Sequence, residues 1–158
     1  MSDFSFGIKS TSDFFRKLLE DYNEFCKDKT SSRKALNCAM TAWHLTEWTY
    51  NEFFQQFSSQ FSTLGLYQQD IKIKCPSLQI LQDITYGTKH YKLTRHNPII
   101  KETNIHEGAF SIGYSRDFDI STLDIELDNG TKIYFEDEIL KTINFWTDYL
   151  QSNFNITI

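Results

Sequence analysis

The side chains with the most chemical potential fall in two places. His44 and Glu47 stand three apart in the run Ala42-Trp43-His44-Leu45-Thr46-Glu47-Trp48. On a helix that spacing puts both on one side, where a carboxylate can orient an imidazole as a general base or join it around a metal. The structural alternative is that Glu47 satisfies a buried polar partner while His44 borders an aromatic core. The second place is Gly87-Thr88-Lys89-His90-Tyr91-Lys92, continuing to Arg95 and His96. From Lys89 to Lys101 there are four Lys/Arg, two His and no Asp or Glu, with Tyr91 and Pro98 interleaved. Phosphate is the natural ligand of such a stretch, with Lys89, Lys92, Arg95 and His96 as its contacts and His90 as a candidate acid or base. A solvated helix end explains the same cations without a ligand, because positive charge is favoured at the negative end of the helix dipole.

These residues need elements to position them. The spacing predicts one long central helix over about 31–59, with Leu36, Ala39, Met40, Trp43, Tyr50, Phe53, Phe54 and Phe57 on a broad apolar stripe. Glu47 falls inside that stripe and His44 on its border. Before it, Ser10 and Asp13 stand at capping-box-like spacing ahead of Phe14, Phe15, Leu18, Leu19, Tyr22, Phe25 and Cys26, which predicts a helix over about 12–28. A short polar connector capped by Ser31 or Ser32 then makes an antiparallel pair with the central helix. The alternating Phe4, Phe6 and Ile8 suggest a short strand or an arm on the core. Pro76 opens a third helix reaching about Leu93, with Leu78, Leu81, Ile84, Thr85, Thr88 and Tyr91 on one side and Asp83, Tyr86 and His90 on the other. Gly87 interrupts it, which invites a kink or a close backbone approach.

After Asn97-Pro98 an irregular connector runs to about Glu107, and the period then changes to two. Phe110, Ile112 and Tyr114 alternate in one run and Leu123, Ile125 and Leu127 in another, followed by Ile133 and Phe135. A three-residue loop Asp128-Asn129-Gly130 pairs Ile125 with Ile133 and Leu123 with Phe135, and sets Glu126 opposite Lys132 on the wet face. A two-residue loop would mix the faces. The apolar parity flips between Ile120 and Leu123, so a bulge or break is expected at Ser121-Thr122. A last helix begins near Asp137 behind three acids that suit its dipole, burying Ile139, Leu140, Ile143, Trp146 and Leu150 and packing back on the central helix.

Composition bounds the whole. At 158 residues with 40% hydrophobic content, one domain spanning 1–158 is expected, and scarce glycine and proline favour long helices. The fold class expected is α+β, mainly α: a four-helix bundle, helical through 1–96, with a small antiparallel sheet over 107–135 and the C-terminal helix over 136–153. The net charge of −5 is uneven, +2 through His106 and −7 beyond it. An acidic C-terminal half excludes nucleic acid binding over the whole surface, so any phosphate contact is local. Cys26, Cys38 and Cys75 form neither a disulfide framework nor a zinc pattern, which fits a reducing cytoplasm. The acids Asp117, Asp119, Asp124, Glu126 and Asp128 lack a calcium-loop pattern and read as the wet face of a sheet. No cofactor or metal, no export signal and no membrane span is expected.

The Ala-Trp-His-Leu-Thr-Glu-Trp helix, the Gly-Thr-Lys-His at a later helix end and the predominantly helical order over about 13–96 resemble divergent members of the HEPN group of prokaryotic helical domains. That group's arginine, four to six residues, then histidine is absent: Arg33 lies too far before His44, and Arg95 adjoins His96. Lys89 and His90 correspond to a degenerate form of the catalytic stretch. The resemblance implies a bacterial or phage protein of a toxin or defence system, directed at RNA or nucleotide, and a homodimer that builds its site across two subunits. The other reading is a non-catalytic dimeric interaction module whose buried polar pair is structural.

Overall fold

The computed structural model describes residues 4–110 and 114–158. It is mainly helical with a small three-stranded antiparallel sheet. In chain order the elements are α1 (Thr11–Cys26), α2 (Ser32–Glu52), α3 (Phe54–Phe57), α4 (Leu64–Lys74), α5 (Ser77–Lys89), β1 (Ile100–His106), β2 (Thr122–Leu127), β3 (Lys132–Tyr134) and α6 (Phe135–Phe154). Where four helices were expected, six stand among the described residues.

The N-terminal half begins as its capping residues dictate. Ser10 Oγ accepts the Asp13 amide at 3.1 Å, and Asp13 answers by accepting the Lys9 amide at 3.1 Å, so α1 starts with its first donors satisfied. Ser31 caps α2, and α1 and α2 pack as the expected antiparallel pair. Phe4 and Phe6 form neither strand nor core arm: they are 92% and 93% exposed, and Phe6 has a positive φ of 52°.

The central helix is shorter than its apolar pattern predicts. It ends at Glu52, because Phe53 leaves the helical region and stacks on Phe154 of α6 with ring centroids 4.0 Å apart. The chain then turns through α3 into an aromatic cluster of Tyr50, Phe57, Phe61 and Tyr67. That turn sets up α4, a helix beyond the four expected, in a segment rich in glutamine and lysine. Thr63 caps it, and Tyr67 and Ile71, one turn apart, are fully buried with Cys75 following a turn later. The i, i+4, i+8 spacing of these three was the available signal.

With α1 on one flank and α4, α5 and α6 on others, α2 is buried around most of its circumference. The buried set is Ala35, Cys38, Ala39, Thr41, Ala42, Trp43, Leu45, Thr46, Thr49 and Tyr50. Glu47 therefore does not lie inside the apolar stripe. Arg33, His44, Glu47 and Asn51 are exposed and follow the helical period as the narrow wet strip of α2. Helix α5 stops at Lys89, earlier than expected, and buries Ser77, Leu78, Ile80, Leu81, Gln82, Asp83 and Thr85, so Asp83 is not on an open side. Gly87 marks no close approach: a Cβ built there meets nothing within 4 Å.

The sheet runs β1-β2-β3. The three-residue hairpin loop is present: Ile125 faces Ile133, Glu126 faces Lys132, and Gly130 adopts φ +82°. Phe135 is already the first residue of α6, so it is not among the strand pairs with Leu123. Strand β1 lies in the stretch expected to be an irregular connector. It pairs Ile105 with Leu123 and Thr103 with Ile125, and Lys101 Nζ meets Glu126 Oε1 at 2.6 Å. Five of its seven residues are polar and six are exposed, and Ile100 and Ile105 stand five apart, so no alternation in IKETNIH announces a strand; the partner β2 makes it one. The expected run Phe110-Ile112-Tyr114 falls partly on 111–113, outside the described residues, while Phe110 bridges Ile120. Strand β2 starts at Thr122, which places the expected break after Ile120. Helix α6 buries Ile139, Ile143, Trp146 and Leu150 as expected, but Leu140 is 43% exposed and Glu138 is buried instead, accepting Ser77 Oγ at 2.6 Å.

Candidate functional site

The basic stretch is held by a carboxylate that sequence reasoning set on the wrong side of its helix. Asp83 is 4% exposed and accepts four hydrogen bonds. Oδ1 takes His96 Nε2 at 2.6 Å and Gln79 Nε2 at 2.8 Å, and Oδ2 takes the amides of Ile99 at 2.7 Å and Ile100 at 3.2 Å. The His96 ring also meets the Tyr86 ring edge-on at 4.7 Å. A single buried acid on α5 thus staples the far end of the 90–98 loop back to the helix from which that loop departs. A lone acid among Ile80, Leu81 and Ile84 was the signal for it, since a buried charge requires partners.

Between the helix end and the staple, Lys89, His90, Tyr91, Lys92 and Arg95 are all exposed. His90 is the extended C-cap residue, its amide bonded to Tyr86 O at 3.0 Å. Among the described residues, no carboxylate forms an ion pair with Lys89, Lys92 or Arg95. Most other cations of the chain do have one, including Lys17 with Asp21 and Arg116 with Asp137. His96, by contrast, spends Nε2 on Asp83.

His44 lies on the wet strip of α2 in electrostatic reach of both neighbouring helices. Its pKa is pushed below the usual 6.5, first by desolvation, while Glu47 opposes the shift and Lys89 and Lys17 reinforce it. The fold thereby brings His44, Glu47 and Lys89 into one neighbourhood, although Lys89 is 45 positions from His44 in the chain. It also adds Lys17 from α1, which sequence reasoning missed. Lys17 is braced there by Asp21 at 2.6 Å and Thr41 Oγ1 at 2.7 Å. No hydrogen bond joins His44 to Glu47, whose carbonyl instead accepts Asn51 Nδ2 at 3.0 Å. Chemically the neighbourhood offers an imidazole shifted toward its neutral, proton-accepting form, with an ammonium able to hold an anion in electrostatic reach.

No group of three or more His, Cys, Asp or Glu able to hold a metal occurs among the described residues. Of the acidic run, Asp119 pairs with His106 at 2.6 Å and accepts the Ala109 amide, which holds its carboxyl below the usual range. Glu126 pairs with Lys101, and Asp124 accepts Thr122 Oγ1. No helix of the described residues is long and apolar enough to cross a membrane. Comparison with family models, with curated proteins and with solved structures returned no match.

Proposed function

We propose that this chain is an RNA-directed or nucleotide-binding protein of a bacterial or phage toxin or defence system, HEPN-like, cytoplasmic and dimeric. We read its long helices α1, α2, α5 and α6 as a four-helix bundle. Lys89, Lys92 and Arg95 grip phosphate, and His44 with Glu47, assisted by His90, supplies acid–base chemistry beside it. The observation that carries this reading is the run of three exposed cations, Lys89, Lys92 and Arg95, that have no carboxylate partner among the described residues, with His44 in electrostatic reach of the first. Cations crowded into one short segment without acids repel one another, and a polyanion relieves that repulsion.

The test is the affinity for a short single-stranded RNA across a salt series. Three phosphate contacts on a single strand correspond to a slope of about −2 in log affinity against log salt. Replacing Lys89, Lys92 and Arg95 with Ala is expected to flatten the slope by that amount. If RNA is cleaved, His90→Ala and His44→Ala abolish cleavage with the melting temperature preserved. Binding that is absent, or that ignores both salt and the triple variant, overturns the proposal.

A second reading, the dimeric interaction module, is favoured by one observation. Phe110, Tyr114 and Phe118 form a triangle of rings with centroids 5.3 to 5.5 Å apart, each close to half exposed. Exposed aromatic clusters mark contact surfaces. Phe118→Ser dissociating a dimer seen by sedimentation supports that module; an unchanged sedimentation profile removes it.

A further inference from the structure

Strand β1 ends the sheet, and no strand pairs with its outer edge among the described residues. The phase of the hydrogen bonds decides which groups that edge leaves open. The Leu127 amide donates to Thr131 O at 2.9 Å, toward β3, and the Asp128 amide to Ile99 O at 2.8 Å, on the other side. Backbone groups alternate sides along an antiparallel strand, so Glu126 and Asp124 face β1, where they pair with Glu102 and Asn104. Thr103 and Ile105 therefore aim N–H and C=O at the open edge, a template for another strand. On the face that Thr103 and Ile105 share with Ile125 and Leu123, two hollows run together. One of about 400 Å³ separates α5 from β1, and the other of about 180 Å³ reaches Ile125 and Phe135. Leu36, Ile84 and Thr103 line both, and Ile105 is left 55% exposed beside them.

We infer that this edge takes the segment 4–8 of a second copy of the chain as a fourth strand, the Phe4 and Phe6 rings entering the hollows; the inference deepens the dimeric part of the reading above and rests on it. The segment has the period that an edge over apolar hollows requires. Phe4, Phe6 and Ile8 alternate with Ser5 and Gly7, so extension sets the apolar side chains on one face. In the single chain Phe4 and Phe6 stand in solvent, 92% and 93% exposed. Phe6 is also held at φ 52°, a region costly for a residue with a Cβ, and extension relieves it. The same chain cannot reach its own edge. Thr11 donates its amide to Glu52 at one end of α2, whereas the hollows lie against Leu36. From Leu36 to Glu52 the helix rises about 24 Å, and Phe6, five residues ahead of Thr11, reaches at most about 18 Å when fully extended. The lining of the larger hollow selects an uncharged guest. It holds two carboxylates, Asp83 and Glu102, and its cation Lys101 is paired with Glu126, while residues 4–8 carry no charge. The area also suffices: with about 150 Å² buried per ring, two reciprocal arms and the surface they cover come to about 1,200 Å², where stable interfaces begin.

The experiment is sedimentation over a concentration series with the full chain, an arm variant carrying Phe4→Ser and Phe6→Ser, an edge variant carrying Thr103→Pro, and an equal mixture of the two variants. Rings that stand in solvent can be removed without loss of the fold, so the arm variant should melt as the parent monomer does. Thr103→Pro deletes an outward amide and none of the bonds to β2, the one place where a strand tolerates proline. The parent is expected to dimerise, and each variant alone to raise the dissociation constant by at least about tenfold. The mixture is expected to recover dimers of one copy of each, since one intact arm then meets one intact edge. A dimer indifferent to the arm variant, or a mixture that stays monomeric, overturns the exchange and leaves a dimer built through the aromatic triangle standing. A parent that is monomeric throughout overturns the exchange and the dimeric reading together, and leaves RNA binding at Lys89, Lys92 and Arg95 to its own salt series.

Discussion

Replacing Asp83 with Ala removes one side chain and strands four donors. Gln79 and His96 can turn toward water, which recovers part of their loss, whereas the Ile99 and Ile100 amides are fixed in a half-buried backbone. A hydrogen bond to a charged acceptor contributes about 1.5–3 kcal/mol, and leaving a buried donor unpaired costs about 1–3 kcal/mol. Two fixed amides plus partial losses at the side chains give about 3–5 kcal/mol, the range found when one member of a buried charged pair is removed. For a chain of this size each kcal/mol lowers Tm by about 2–4 °C, so a fall of about 6–20 °C is expected in a thermal melt. Hydrogen exchange supplies the local readout: the Ile99 and Ile100 amides should exchange faster in Asp83→Ala even under conditions where α2 amides stay protected. Asp83→Asn keeps one acceptor oxygen and should lose less. A Tm within about 2 °C of the parent, or unchanged protection at Ile99 and Ile100, would refute the staple and with it the placement of the basic loop.

The titration of His44 tests the meeting of α2 and α5 directly. By NMR its midpoint should lie below 6.5, Lys89→Ala should raise it and Glu47→Gln should lower it; indifference to Lys89 means the two helices do not bring these residues together. Because the folded-state pKa is depressed, the stability linked to His44 is fully present above about 6.5 and is lost as pH falls through the folded value. His44→Gln should therefore flatten the acid limb of a Tm-against-pH curve, and an unaltered limb contradicts the desolvation of its ring. Gly87→Ala should stabilise by about 1 kcal/mol, since it gains helix propensity and a Cβ there meets nothing within 4 Å; destabilisation would mean that another element approaches α5 at Gly87. Trp43→Ala should cost about 3–5 kcal/mol in a denaturant melt, because the ring is 2% exposed with Tyr86 on its edge and Lys72 Nζ 5.8 Å from its centroid. Trp48, half-buried and stacked on Phe14, should cost clearly less on removal, and equal losses would refute the placement of α2.

Local chemistry in the sequence determined what local energies control. Ser10 with Asp13, and Ser31, set the starts of α1 and α2 because a side-chain oxygen three residues from an orphan amide needs no distant partner. The hairpin register followed from alternation, since only the three-residue loop brings Ile125 and Ile133 to one face. The identity of the exposed cations was also legible, because the stretch from Lys89 to Arg95 holds no acid. Tertiary structure decided the rest. Phe53 ends α2 because Phe154, 101 positions away, offers a stacking partner, and the mostly polar IKETNIH becomes β1 because β2 presents an edge. Glu47 falls inside the apolar stripe on a helical wheel and is exposed, while Asp83 falls on the side opposite Leu78 and Leu81 and is buried. A wheel assigns faces from one helix alone, whereas burial depends on how many neighbours surround it: α2 has them on nearly every side but the strip of His44 and Glu47. Asp83 can remain in the interior because His96 and the amides of Ile99 and Ile100 return to meet it, and that return is a property of the folded chain.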